Sequence, residues 1–86
     1  MKNTDLELKK FAARVRAIRE ATGLSQEDFA TKAQMDRAGY GRVERGIVDV
    51  RLTTIIRLAD ALNVSIGTLF GESERMISTK KAKGTK

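Results

Sequence analysis

Apolar residues in this chain recur at intervals of three and four positions, in short runs that each end near a residue able to stop a helix. The first run places Leu8, Phe11, Val15 and Ile18 on one helical face, and Gly23 follows it. The sequence contains no strand-like alternation of apolar and polar residues and no internal repeat. With 86 residues the chain has room for one small core, so we predict an all-α fold of five compact helices.

Residues that cap helices place the boundaries of these five elements. Four positions carry a side-chain oxygen able to accept a hydrogen bond from the first turn that follows, namely Thr4, Ser25, Asp36 and Ser65. Thr4 and Glu7 together have the spacing of a capping box. The predicted helices cover residues 5–22, 26–33, 37–45, 52–62 and 66–70. The apolar positions that mark the fourth helix are Leu52, Ile55, Ile56, Ala59 and Leu62.

The residue types that are absent limit the possible chemistry. There is no Cys and no His, which excludes disulfides and metal sites built on thiolates or imidazoles. The commonest catalytic nucleophile and base are missing as well, so we expect a protein that is not an enzyme and needs no metal or cofactor. No apolar run reaches membrane-spanning length, and the first residues do not resemble a signal peptide. We therefore expect a cytoplasmic protein without membrane contact, and the sequence leaves open whether it binds a small-molecule ligand.

Positive charge is concentrated at the end of the sequence. The chain has 17 basic and 11 acidic residues, a net charge of +6. Five of the basic residues and none of the acidic ones lie in residues 75–86, so the rest of the chain is nearly neutral. We divide the chain into a domain at 1–74 and a basic tail at 75–86 that we expect to be disordered. Such a tail either is a solvated end or adds affinity for DNA of any sequence.

The segment 26–45 has the organisation of two short helices joined by a tight turn. A small residue, Ala30, lies within the first helix and lets the second helix cross it closely. In the second helix Tyr40 and Val43 are three positions apart and are expected to face the core. The residues of that helix left facing outward are Arg37, Ala38, Gly41 and Arg42. This organisation is typical of a helix-turn-helix, whose second helix enters the major groove of double-stranded DNA.

Three stretches of the sequence together resemble the lambda-repressor-like family of helix-turn-helix proteins, which includes the Cro, repressor and XRE types. In order, they are GLSQEDFA, then VERG after Tyr40, then LTTIIRLADALNVSIGTLFG. The resemblance spans about residues 11–71 and implies a five-helix DNA-binding domain, a symmetric homodimer and an operator with two half-sites. The pattern ERG-x-x-x-V-x-L after the third helix is similar to that of controller proteins of restriction-modification systems.

The resemblance also implies roles for individual residues. Gln26 matches a glutamine that braces against a phosphate or against a neighbouring recognition residue. The positions that face base edges are matched by Arg37, Ala38 and Arg42. Arg51 matches a phosphate contact at the start of the fourth helix, and a buried ion pair between the first and third helices is implied for Arg19 and Glu44. For Arg37, contact with a base and contact with a phosphate are both open.

The sequence departs from the family's pattern in three places. Gln34 stands in the turn where the family usually has Gly, so a non-glycine residue is expected in a left-handed conformation. Val50 replaces a frequent Pro. Gly39 and Gly41 lie inside the recognition helix, where each is unfavourable by ~1 kcal/mol relative to Ala. Either that helix is frayed until DNA orders it, or the glycines allow close approach to the bases.

The leading hypothesis is a sequence-specific transcriptional regulator that binds a two-half-site operator as a dimer, with residues 37–45 in the major groove. Two alternatives use the same fold: the antitoxin of a toxin-antitoxin pair, and an adaptor that binds proteins without reading bases. The polar sequence of 75–86 is unlike a toxin-binding segment, and the outward arginines argue against an adaptor. We place the dimer interface on the fifth helix and the residues after it, because apolar residues from Ile66 to Ile77 exceed what one small core needs.

Overall fold

The computed structural model describes residues 3–72 of the chain. Within that range it contains no strand and five helices: α1 Asn3–Thr22, α2 Gln26–Lys32, α3 Arg37–Arg45, α4 Leu52–Leu62 and α5 Ile66–Leu69. The predicted all-α fold of five helices is confirmed. The basic tail at 75–86, and the apolar Met76 and Ile77 assigned to the dimer interface, lie outside the described residues.

Three helices begin at the caps that the sequence predicts, and one does not. The side-chain oxygens of Ser25, Asp36 and Ser65 accept hydrogen bonds from the backbone N–H three residues on, at 3.0, 2.7 and 3.1 Å. The capping box predicted at Thr4 and Glu7 is wrong, because α1 is already helical at Asn3 and both residues lie exposed within it. Thr and Glu both tolerate helical backbone, so the same pattern also occurs inside a helix.

Apolar side chains from all five helices meet in one core. Its fully buried members are Val15, Phe29, Tyr40, Leu58 and Leu69. The rings of Phe29 in α2 and Tyr40 in α3 pack edge to face with their centroids 5.0 Å apart. Such a pair contributes about 0.5–1.5 kcal/mol beyond the burial of its area. This contact holds the two helices of the predicted helix-turn-helix against each other.

Helix α4 carries two apolar stripes, and only one of them faces the core. Leu58 is fully buried although the predicted stripe did not include it. Leu52 and Ile56, which the prediction did include, are 65% and 47% exposed. The core side of α4 therefore passes through Leu58, Ala59 and Leu62, and the second stripe is left on the surface.

The turn between α2 and α3 contains the predicted left-handed residue. Gln34 has φ 62°, and the backbone N–H groups of Gln34 and Met35 donate to the carbonyls of Thr31 and Ala30 at 3.0 and 2.8 Å. A second non-glycine residue, Asn63 at the end of α4, has φ 60°. The turn therefore closes by backbone hydrogen bonds without the glycine that the family usually has there.

Helix α3 is continuous across both of its glycines. A Cβ built on Gly39 would lie 2.7 Å from Oδ1 of Asp36, the atom that caps the helix. The missing side chain thus leaves space for the capping carboxylate. A larger residue at position 39 would therefore require the capping carboxylate of Asp36 to shift.

Candidate nucleic-acid interface

Helix α3 has a buried face and an exposed face. The residues that it turns to the core include Tyr40, Val43 and Glu44. The residues that it exposes include Arg37, Ala38 and Arg42, as predicted. Gly41 lies on this outward face as well, as predicted, because it lines the groove along α3, but it is buried. The side chain of Arg45 covers it, since a Cβ at Gly41 would lie 3.4 Å from Nη1 of Arg45.

A groove of about 430 Å³ runs along the exposed face of α3. Its lining residues are Gln26, Arg37, Ala38, Gly41, Arg42 and Arg45. The groove brings together five of the six residues predicted to bind DNA, and none of its lining residues is acidic. Arg45 was not predicted, although its spacing could have indicated it: Arg45 lies four positions after Gly41 and eight after Arg37, on one side of a helix.

The sixth predicted residue, Arg51, lies on the other side of Arg42. Arg51 is the N-cap residue of α4, and its exposed side chain makes no capping hydrogen bond. A second concavity, of about 210 Å³, is lined by Arg42, Arg51 and the loop residues 48–50 between α3 and α4. Because Arg42 borders both concavities, the surface from Arg37 to Arg51 is continuous.

This surface, which we call the arginine surface, is defined by the four guanidinium groups of Arg37, Arg42, Arg45 and Arg51. Within residues 3–72 none of the four forms an ion pair with a carboxylate. Apart from the contact of Arg37 Nη2 with Oε1 of Gln26 at 3.5 Å, their side-chain donors are open to an anion. A guanidinium presents a planar fork of donors that fits a phosphate, and it fits equally the O6 and N7 atoms of guanine.

A buried ion pair lies beneath the arginine surface. Arg19 of α1 donates from Nε to Oε2 of Glu44 at 2.6 Å and from Nη2 to Oε1 at 3.1 Å. The hydroxyl of Tyr40 donates to Oε2 of the same carboxylate, and Nε2 of Gln26 donates to Oε1 at 2.9 Å. The side chain of Glu44 is 2% exposed. The pair implied for Arg19 and Glu44 is present, and it ties α1 to α3 and α3 to the start of α2.

The surroundings of Glu44 keep it charged. Burial by itself would raise the pKa of Glu44, but the hydrogen bonds from Arg19, Tyr40 and Gln26 outweigh burial, and the pKa lies below its ordinary value. The pKa of Tyr40 is raised, first by burial and then by its hydrogen bond to the Glu44 carboxylate. The hydrogen bond to Glu44 likewise raises the pKa of Arg19. The network therefore consists of one anion, one cation and neutral donors at neutral pH.

Other kinds of site are not found in the described part of the chain. No group of three or more His, Cys, Asp or Glu side chains within residues 3–72 is placed to hold a metal ion. None of the five helices is long and apolar enough to cross a membrane.

A helix-turn-helix whose second helix offers unpaired arginines defines the class of DNA-binding transcription regulators. The chain belongs to the helix-turn-helix family HTH_3, which matches residues 15–69. It is 31% identical over 67 residues to the control protein C.MunI from a Mycoplasma species, covering 77% of this chain and 90% of that protein. It is 43% identical over 58 residues to the control protein C.SmaI from Serratia marcescens, covering 67% of this chain and 69% of that protein.

Solved structures agree with this assignment. The restriction-modification controller protein C.AhdI from Aeromonas hydrophila matches with a TM-score of 0.76 and 42% identity, over 80% of this chain and 100% of that chain. The resemblance to the lambda-repressor-like family and to controller proteins is confirmed. These relatives are DNA-binding regulators and not enzymes.

Proposed function

We propose that this chain binds an operator of two half-sites as a homodimer, with α3 in the major groove of each half-site, and regulates genes of a restriction-modification system. The observation that carries the proposal is the arginine surface, which forms no ion pair within residues 3–72 and of which three arginines lie on α3, a helix held from behind by the buried Arg19–Glu44 pair. The names of the control proteins to which the chain is similar support the regulatory role.

The residues of the arginine surface have different tasks in this proposal. Arg42 lies on the exposed face of α3, where its guanidinium reaches the O6 and N7 atoms of a guanine, a contact worth about 1–3 kcal/mol of discrimination. Arg51 lies outside α3, at the first turn of α4, and grips a phosphate. Arg45 adds a phosphate contact from the last turn of α3. Ala38 is short enough to let the helix approach the base edges.

Exposed apolar residues on α4 and α5 support a dimer. Leu52 and Ile56 lie one helical turn apart on the surface stripe of α4, and Ile66 and Phe70 are 40% and 55% exposed at α5. A soluble monomer rarely leaves several large apolar side chains together in water. We place the interface on α5, as the sequence predicts, and extend it to the surface stripe of α4. A two-fold axis there would give a symmetric dimer with one recognition helix for each half-site.

Paired substitutions test the readout. Arg42→Ala should weaken binding to the operator, selected beforehand from random duplex DNA, while leaving binding to random sequence nearly unchanged. Arg51→Ala should weaken both alike and reduce the salt dependence of binding by about one phosphate contact. Arg57→Ala is the matched control, because Arg57 is an exposed arginine of α4 that lines a separate concavity with Lys32 and Gln34.

Each outcome of this test has a meaning. An Arg42→Ala protein that is folded and keeps the wild-type ratio of operator to random binding would refute base reading by α3. The adaptor alternative, in which the fold binds another protein without reading bases, would then be favoured. A loss with Arg57→Ala equal to that with Arg51→Ala would show that only net charge matters.

Sedimentation tests the dimer. The wild-type protein should sediment as a dimer at micromolar concentration, and Ile56→Asp should shift it towards the monomer. Ile47→Asp is the control, because Ile47 is 57% exposed but lies in the loop after α3 and outside the proposed interface. A wild-type protein that is monomeric with and without operator DNA contradicts the proposal.

A further inference from the structure

Four hydrogen bonds converge on the buried carboxylate of Glu44, and one of them comes from the groove of the arginine surface. Arg19 supplies two of the bonds and Tyr40 a third. The fourth comes from Nε2 of Gln26 at 2.9 Å from Oε1. A carboxylate can only accept hydrogen bonds. Gln26 can therefore turn only its NH2 group, and not its carbonyl oxygen, towards Glu44.

This constraint fixes which atom of Gln26 faces the groove. The two ends of a glutamine amide have nearly the same shape, so its orientation is usually set only by hydrogen-bond partners. Here the reversed orientation would place two oxygen acceptors against each other at the same distance. The carbonyl oxygen Oε1 consequently points to the groove, and Nη2 of Arg37 lies 3.5 Å from it. The negative charge of Glu44 in the core thus determines that the carbonyl oxygen of Gln26 lies beside Arg37.

We infer that Glu44 is a positioning residue for sequence reading: through Gln26 it fixes an acceptor that holds the guanidinium of Arg37 in the orientation in which Arg37 reads a guanine edge. The inference rests on the proposed function and deepens it. Glu44 touches no DNA in this arrangement. Of the two roles that the family resemblance leaves open for Gln26, the geometry favours bracing a neighbouring recognition residue over gripping a phosphate.

The physical advantage is preorganisation. Arg37 is exposed, and a free arginine side chain loses rotamer freedom when it binds a base. Because the Gln26 carbonyl is already in place, it holds Arg37 in one rotamer before DNA binds, and Arg37 then loses less rotamer freedom on binding a base. The acceptor in turn cannot rotate away, because its amide is anchored to a carboxylate whose other bonds come from α1 and α3. Arg37 has five donors, so it can keep this contact while others meet the base.

The first test replaces Gln26 with Met, which has a similar length and neither the donor nor the acceptor. Preference for the base pair that Arg37 reads should fall about tenfold in a complete set of single-base operator variants. The slope of affinity against salt should not change. If Gln26 gripped a phosphate, Gln26→Met would instead weaken all sequences alike and leave the preference at every base pair unchanged, and this result would overturn the inference.

A double-mutant cycle tests the coupling. Arg37→Ala alone should lose the same base preference, and Gln26→Met combined with Arg37→Ala should lose no more than Arg37→Ala alone. Independent, additive losses would overturn the inference. Glu44→Gln places an amide where the carboxylate was, so Gln26 can take either orientation. Preference should relax at the same base pair and at no other, provided that circular dichroism shows a folded protein.

Tyr40→Phe is the matched control, because it removes a different donor from the same carboxylate and leaves Gln26 in place. It should lower stability without changing base preference. If it relaxes preference as much as Gln26→Met, general loosening of α3 is the cause and the inference is refuted. The proposed function fails separately: it fails if the wild-type protein prefers no sequence or if Arg37→Ala and Arg42→Ala both leave all preferences intact.

Discussion

Replacing Glu44 with Ala tests whether the Arg19–Glu44 ion pair is buried, because it removes one partner of the pair and should strongly lower the free energy of unfolding. The side chain of Glu44 is 2% exposed and that of Arg19 is 9% exposed. Removing the carboxylate leaves the buried guanidinium of Arg19 with only the exposed Glu20 carboxylate, 3.9 Å away, as a charge partner, and the hydroxyl of Tyr40 loses its acceptor. Breaking such a pair from one side costs about 3–5 kcal/mol. The hydrogen bond from Nη1 of Arg19 to the carbonyl of Leu24, at 2.8 Å, remains in this variant. We therefore expect a loss of unfolding free energy near the lower end of this range.

Urea unfolding followed by circular dichroism measures this loss. Small domains have about 0.05–0.15 kcal/mol of stability per residue, so a loss of this size removes much of the total. A variant that is unfolded without urea counts as a loss at least equal to the wild-type stability. Exposed ion pairs contribute about 0–1 kcal/mol, and Arg16→Ala, which breaks the exposed pair with Glu20, should fall in that range. A loss below about 1 kcal/mol for Glu44→Ala would refute the buried placement of the pair.

Three further perturbations have defined outcomes. The stability that Glu44 contributes is fully present above its ordinary pKa of 4.5 and is lost as the pH falls through its lower pKa in the folded protein. The stability that Tyr40 contributes is present below its ordinary pKa of 10.0 and is lost as the pH rises through its higher pKa in the folded protein. Urea unfolding should therefore show a plateau at intermediate pH, and a decline near neutrality would contradict this account. Gln34→Gly should raise the free energy of unfolding by up to about 1 kcal/mol, because glycine relieves the left-handed φ of 62°; an unchanged or lower stability speaks against strain at the turn. Deleting residues from Lys80 onward should weaken operator and random DNA by similar factors and flatten the salt dependence, because flexible lysines act as point charges; a loss confined to the operator would mean that the tail reads sequence.

The sequence predicts the helices well where a cap and a helical period agree. Ser25 and Asp36 each precede an apolar run, and both cap helices in the structure. At Thr4 the cap pattern stands before a segment that is already helical, so the pattern alone gives the wrong start. On α4 two apolar stripes overlap, and period alone does not say which stripe is inside. The exposure of Leu52 and the burial of Leu58 depend on where α4 meets the other helices, which is tertiary information.

The candidate site and the buried Arg19–Glu44 pair beneath it were predicted, but the bond that joins Gln26 to this pair was not. The family resemblance placed Arg42 and Gln26 correctly in one groove. Helical geometry correctly placed Gly41 on the outward face, but it did not show that the longer side chain of Arg45 covers this residue. The bond from Gln26 to Glu44 joins residues 18 positions apart. Sequence periodicity concerns neighbours along one helix, so a contact between two helices at this separation leaves no periodic signal.

The separation of the two faces of α3 bears on how such a regulator changes its target sequence. The core holds the helix through Tyr40, Val43 and Glu44, and none of these side chains lines the groove. Ala38 and Arg42 can therefore be exchanged in evolution or by selection in the laboratory without disturbing the fold, and each exchange would give a new preferred operator. Exchange of Arg37 would act differently under the inference above, because it would also remove the contact with Oε1 of Gln26. New specificities should arise first at positions 38 and 42.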